Sequence, residues 1–222
     1  MSDVIQAIRQ SRLVAILRGR RTGHLVEGAR VLADEGVRVL EFPLTGPDVL
    51  EAVTSAAEAL DDLAFVGAGT VRTVDNARRA IDAGARFLVS PGLSVAVVEY
   101  ASARNIAVLP GTFTPTEIDT ALQAGAELVK LFPANSHQPE FLRQLHVPLP
   151  QAGVVPTGGV DLAAARSWLA AGAVAVGVGS PLIGSCLMTG DFAALRSQAR
   201  TWRAVVAPGV PAETPPEQHT PR

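Results

Sequence analysis

Four segments of the chain repeat one pattern: an alanine-rich stretch with apolar residues at helical spacing, a glycine, then a short apolar run. They are DEGVRVLEF (34–42), DAGARFLVS (82–90), QAGAELVKL (123–131) and AAGAVAVGV (170–178). The glycine suits the left-handed position that closes a helix, and the β-branched run suits a buried parallel strand. Gly36, Gly84, Gly125 and Gly172 lie 48, 41 and 47 residues apart, about two βα units each. A further strand is therefore expected in each gap, and AFVGAG (64–69), IAVLPG (106–111) and GVVPTGG (153–159) supply it. With LVAILRG (13–19) in front, eight strands alternate with helical segments. Alternation predicts a parallel sheet, and eight units predict an α/β fold of one (β/α)8 TIM barrel over residues 1–206. An open doubly wound sheet is the alternative. The leading MSDVIQAIRQSR adds a short polar helix, and the proline-rich, polar stretch 207–222 reads as a disordered tail.

The repeat also sets a register. Side chains alternate along a strand, so positions +1, +3 and +5 from each glycine share one side. Positions +2 and +4 (Arg38/Leu40, Arg86/Leu88, Glu127/Val129, Val174/Val176) are expected to face the helices. The +5 residues are Glu41, Val89, Lys130 and Gly177. They come from alternate strands, as one layer of a barrel does. Register alone thus places a glutamate and a lysine in one interior layer near the C-terminal mouth.

Composition narrows the field. The net charge is −2 and 48% of residues are hydrophobic, which gives no electrostatic footprint for nucleic acid or an anionic membrane. No apolar run reaches the roughly 18–20 residues that span a bilayer, and the N-terminus lacks the apolar region of a signal peptide. The single cysteine, Cys186, excludes an internal disulfide and fits a reducing cytoplasm. His24, His137, His146 and His219 are scattered without metal-ligand spacing, so neither a metal nor another cofactor is expected.

Lys130 is the only lysine in 222 residues. Its ammonium is costly to desolvate unless it is paired or neutralised. One reading is a buried ion pair with Glu41 that fixes barrel register. The other is chemical: burial disfavours the charged form, and a free amine attacks a carbonyl to form a Schiff base. Glu41 would then shuttle protons for dehydration and carbon–carbon cleavage.

Other strand ends furnish a pocket. PTGGV (156–160) ends strand seven and GVGS (177–180) ends strand eight, the two positions at which barrels hold phosphate on backbone N–H groups. Glycine also serves any tight strand-to-helix turn. Arg18 in AILRG ends strand one, where a guanidinium can clamp a carboxylate with two hydrogen bonds, or simply face water. Thr70 in GAGT offers a hydroxyl after strand three. SPGL (90–93) and PGTFTP (110–115) end strands four and five, and could equally be structural turns.

In order and spacing, AILRG, EFPLTGP, VGAGTV, VSPGL, PGTFTPTE, KLFPA, PTGGV and GVGS resemble the 2-keto-3-deoxy-6-phosphogluconate (KDPG) aldolase family. That family also includes 4-hydroxy-2-oxoglutarate (KHG) aldolase and the phosphogalactonate aldolases, and the likeness runs from about residue 10 to 206. It implies a metal-independent class I aldolase, a homotrimer, that splits a phosphorylated 2-keto-3-deoxy sugar acid into pyruvate and glyceraldehyde 3-phosphate. Lys130 then resembles the Schiff-base lysine and Glu41 the general acid/base. Thr70 resembles the hydroxyl near the pyruvate carboxylate, Pro91 and Phe132 the pocket walls, and Gly158, Gly159, Gly179 and Ser180 the phosphate contacts. Thr157 resembles gluconate-type members, whereas AILRG and EFPL also occur in galactonate-type ones. The chain departs from the pattern twice. Thr45 stands where some members carry a carboxylate-binding arginine, with Arg18 matching members that place it on strand one. NSHQPEF (135–141) replaces a glycine-containing turn after KLFPA. The rival functions are a phosphosugar epimerase or isomerase barrel, and a catalytically silent barrel used for binding.

Overall fold

All four repeat glycines have positive φ, between 81° and 106°, in a computed structural model that describes residues 2–209 apart from 20 and 47. Each therefore turns a helix into the strand that follows, as the repeat predicts. The strands are β1 (Leu13–Ile16), β2 (Val39–Pro43), β3 (Phe65–Gly69), β4 (Phe87–Val89), β5 (Ala107–Leu109), β6 (Gly111–Thr112), β7 (Val129–Leu131), β8 (Val154–Pro156) and β9 (Val176–Val178). The helices are α1 (Asp3–Ser11), α2 (Thr22–Asp34), α3 (Val49–Leu60), α4 (Val74–Asp82), α5 (Val95–Ser102), α6 (Pro115–Gln123), α7 (Glu140–Leu145), α8 (Leu162–Ala170), α9 (Ser180–Ile183), α10 (Cys186–Thr189) and α11 (Phe192–Val206).

Every pairing is parallel. One six-stranded sheet runs β5-β4-β3-β2-β1-β9, and a three-stranded sheet runs β6-β7-β8. The first strand pairs with the second on one edge and the last on the other, so the order never reverses as a doubly wound sheet requires. The fifth expected strand, 106–111, is divided at Pro110. Proline has no N–H for the ladder and a fixed φ, although its carbonyl still accepts from the Lys130 N–H at 2.9 Å. At the far edge of the small sheet, Thr157, just after β8, bridges to Gly177 of β9.

The register holds where the strands are formed. The +3 residues Val39, Phe87, Leu128 and Ala175 join Val14, Val89, Leu109 and Val155 in an apolar cluster drawn from both sheets. The +4 residues Leu40, Leu88, Val129 and Val176 belong instead to the large cluster packed against the helices. The +1 and +2 expectations fail: Val37, Ala85, Ala126 and Ala173, the +1 residues, join the helix-facing cluster instead of the inner one. Arg38, Arg86 and Glu127 are exposed, and Val174 packs on the inner cluster. These residues precede the first paired residue of each strand, so the alternation has not begun and the charged ones reach water. Helix α1 is amphipathic rather than merely polar: Val4, Ile5 and Ile8 insert into the inner cluster, each contributing roughly 1.5–3 kcal/mol by burial. The Ser2 side chain caps its first turn. Residues 210–222 of the expected tail lie outside the described residues. No described helix is long and apolar enough to cross a membrane.

Helix α11 is tied to α2 through Glu35. Its carboxylate accepts from Arg196 Nη1 at 2.6 Å and from Arg200 Nε at 2.7 Å, while its carbonyl accepts from Arg203 Nη1 at 2.8 Å. Hydrogen bonds from Arg200, then Arg196, hold the Glu35 carboxyl well below its ordinary 4.5, at about 2. A depressed folded-state value favours folding above the unfolded pKa, and the gain is lost as pH falls toward the folded one. Glu35→Gln should therefore lower the thermal midpoint at pH 7, with the difference from wild type shrinking between pH 4.5 and 2. Thermal unfolding followed by circular dichroism across that range checks this. A pH-independent difference would assign the loss to packing.

Candidate active site

Lys130 is the middle residue of β7. Val129 and Leu131 point into the helix-facing core, which leaves the lysine on the opposite side, 8% exposed. Its backbone is fixed by the N–H bond to Pro110 and by the Thr112 hydroxyl, which donates to the Lys130 carbonyl at 3.1 Å. Its Nζ lies 4.9 Å from the centroid of the Phe132 ring. Glu41 is placed by the same logic, between Leu40 and Phe42 of the helix-facing core, and is 3% exposed. Its carboxylate lies across β3 on Gly69, where a Cβ would fall onto the carboxylate itself. Burial pushes the Glu41 carboxyl above its ordinary value, and the charges of Lys130 and Arg18 oppose that rise.

No described group hydrogen-bonds the Lys130 ammonium or the Glu41 carboxylate, and no ion pair joins the two directly. A register-fixing salt bridge would show that contact. The two groups instead face one cavity of about 460 Å³. It brings together the candidate catalytic and substrate-binding residues Arg18, Glu41, Thr70, Pro91, Lys130, Phe132, Thr157, Gly158, Gly159, Gly179 and Ser180. Ile16, Val160, Gly177 and Pro181 complete the lining. Of these, Gly177 was placed in the same layer by register, and Ile16 pairs with Glu41 across β1 and β2.

Thr70 has φ 60°, a left-handed conformation that costs a β-branched residue on the order of 1–3 kcal/mol. It turns the chain sharply after β3, with the side chain at the cavity. Ser90 holds the turn that carries Pro91: its hydroxyl donates to the Gly92 carbonyl at 2.7 Å and accepts from the Gly111 N–H at 3.3 Å. The Thr157 hydroxyl donates to the Val155 carbonyl at 3.2 Å and packs on Gly177, whose place tolerates no side chain. Gly158 and Gly159 both hold positive φ, and the N–H groups of Gly159 and Gly179 donate to no described group. They are available to an anion in the cavity. Part of PGTFTPTE is structural. Thr114 and Glu117 form a capping box on α6, with Glu117 also accepting from the Phe113 N–H at 2.9 Å. Thr45 is exposed and outside the cavity lining. Among the described residues no three His, Cys, Asp or Glu side chains are grouped as metal ligands.

A family model described as KDPG and KHG aldolase matches residues 4–197. The protein named probable 2-dehydro-3-deoxy-6-phosphogalactonate aldolase of Rhizobium meliloti is 33% identical over 180 residues, 81% of this chain and 85% of that one. The KHG/KDPG aldolase of Escherichia coli is 32% identical over 190 residues, 85% of this chain and 89% of that one. The crystal structure of the 2-keto-3-deoxy-6-phosphogluconate aldolase of Zymomonas mobilis ZM4 with 3-phosphoglycerate superposes with a TM-score of 0.83 at 29% identity, over 94% of this chain and 98% of that one.

Proposed function

The chain belongs to the KDPG and KHG aldolase family, and from that premise we propose that it is a class I, metal-independent aldolase working through Lys130. The observation that carries this reading is the chain's one lysine, buried in the cavity with Glu41 and joined to it by no ion pair. The Lys130 amine attacks the C2 carbonyl of a 2-keto acid, giving a carbinolamine. Glu41, as the acid, protonates the departing hydroxyl; water leaves and an iminium remains. Glu41, now a carboxylate, takes the C4 hydroxyl proton. The C3–C4 pair then moves into the iminium, releasing the aldehyde and leaving an enamine. The protonated Glu41 returns its proton to C3, and hydrolysis of the pyruvyl iminium frees pyruvate and the amine. Burial that raises the Glu41 carboxyl suits a group that must serve as acid and base in turn.

The substrate in this reading is 2-keto-3-deoxy-6-phosphogluconate, with 4-hydroxy-2-oxoglutarate also cleaved. Glyceraldehyde 3-phosphate is the second product from the phosphorylated acid. The unpaired N–H groups of Gly159 and Gly179, with Gly158 and the Ser180 hydroxyl beside them, would hold the phosphate. A relative solved with 3-phosphoglycerate accords with that. Thr157, a hydroxyl at the cavity, favours the gluconate-derived acid. The galactonate-derived epimer is the second reading, because one relative at comparable identity carries that name. Rates on the two phosphorylated acids and 4-hydroxy-2-oxoglutarate, with and without a chelator, decide between them. Pyruvate release from none of the three would end the proposal. On the same footing the two sheets are taken to close as one (β/α)8 barrel through Pro110 and the Thr157–Gly177 bridge, and the assembly as a homotrimer, which light scattering checks.

Arg18 is assigned the substrate carboxylate, in the place of the arginine that Thr45 lacks. Charge-assisted hydrogen bonds of this kind contribute roughly 1.5–3 kcal/mol, so Arg18→Ala should lower kcat/KM by about 10- to 150-fold. Adding Thr45→Arg should recover part of the loss. Near-normal pyruvate binding in Arg18→Ala would show that the carboxylate is held elsewhere.

A further inference from the structure

The packing of the loop after Lys130 gives it a task. Residues Ala134–Ser136 form one 3₁₀ turn pinned to the chain after β8. The Ala134 N–H donates to the Thr157 carbonyl at 2.8 Å and the Asn135 N–H to the Gly158 carbonyl at 3.1 Å. The Asn135 side chain presses on Gly159, where an added Cβ would stand 2.6 Å from the Asn135 Cβ and 3.0 Å from its Nδ2. The Phe132 ring covers Gly158 in the same way, at 3.0 Å. The two glycines, at φ 93° and 69°, are thus flanked by side chains of the preceding loop. That loop is itself anchored. The His137 N–H donates to the Ala134 carbonyl at 3.0 Å, and its ring lies between Phe113 and Phe141 at 4.4 and 4.5 Å.

We propose that Asn135 is a positioning residue for the Gly158–Gly159 turn and thereby sets the preference for phosphorylated over non-phosphorylated substrates. The proposal rests on the phosphate reading given above. Asn135 is exposed and lies outside the cavity lining, so it acts through the turn and not on the substrate. Glycine is the residue type that fixes its own backbone least. Two of them in succession keep one conformation only if neighbours hold them. Asn135 and Phe132 are those neighbours, and Phe132 also faces Lys130, which leaves Asn135 as the support dedicated to the anion end.

The test is Asn135→Gly, assayed for kcat and KM on 2-keto-3-deoxy-6-phosphogluconate and on 4-hydroxy-2-oxoglutarate. The inhibition constant of inorganic phosphate against the second reaction is measured alongside. Misplacing a binding group by about 1 Å can cost up to 10²-fold. The expected result is a KM for the phosphorylated acid and a phosphate inhibition constant each raised about 10- to 100-fold. In the variant kcat stays within about twofold, KM for 4-hydroxy-2-oxoglutarate is unchanged, and so is the thermal midpoint. Equal effects on both substrates, or none on either, in an enzyme whose wild type prefers the phosphorylated acid, would overturn the role of Asn135 and leave the phosphate reading standing. A wild type indifferent to phosphorylation and to inorganic phosphate would overturn the phosphate reading, and this proposal with it.

Discussion

Lys130→Met should abolish aldol cleavage, lowering kcat/KM on the order of 10⁶-fold, the scale lost when a covalent nucleophile is removed. Methionine is close to lysine in length and keeps its apolar stem, so the packing of Val129 and Leu131 against the helices is undisturbed. Removing a buried ammonium that no described group hydrogen-bonds relieves a desolvation cost, so the thermal midpoint should stay level or rise. The two readings of this lysine separate here. If it served the fold through an ion pair with Glu41, the same substitution would strand a buried carboxylate and destabilise the protein. An inactive variant that melts no lower than wild type supports the chemical role. An active variant, or one that fails to fold, contradicts it.

Glu41→Gln should keep the fold and lower kcat by about 10²–10⁴-fold, the range for acid–base catalysis. The amide fills the same space over Gly69 but neither takes nor gives a proton. Because Glu41 enters the cycle as the acid, kcat/KM should show an alkaline limb, the rate falling as pH rises through a carboxyl value that burial holds above its ordinary 4.5. In the glutamine variant that limb should disappear. Stability carries the matching sign. Between the unfolded value and the raised one, the folded state binds more protons than the unfolded state, so wild-type stability falls as pH rises. The variant should lack that slope. Wild-type turnover in Glu41→Gln, or an unmoved alkaline limb, would remove the role.

The sites most legible in the sequence are those fixed by period and register. One glycine per repeat locates the end of a helix, and a count of five from it places Glu41, Lys130 and Gly177 on one side of their strands. Both steps follow from backbone geometry alone, which is why they hold across all four repeats. The phosphate turns and Arg18 were placed by strand ends, and they meet at one cavity because strand ends of a parallel array share one face. Other features depend on contacts between segments far apart in the chain. The +2 arginines were sent to the helices because alternation was carried back before the strands had begun. The division at Pro110 was readable from proline's missing N–H, yet the pairing of Gly111 and Thr112 with β7 was not. TPTE carries a capping-box signature, Thr114 with Glu117 three residues on, that is legible in the sequence. The left-handed backbone of Thr70, the seat of the Glu41 carboxylate on Gly69 and the pressure of Asn135 on Gly159 leave no local trace.

The central claim is a covalent bond between Lys130 and a 2-keto acid, and trapping it is the most direct measurement. Incubation with pyruvate and borohydride, followed by peptide mass spectrometry, should place a reduced pyruvyl group on the peptide holding Lys130 and inactivate the enzyme in proportion. Because the chain has no other lysine, an adduct has only the N-terminal amine as an alternative site. Active enzyme that turns over a 2-keto acid yet yields no adduct at Lys130 would contradict the account.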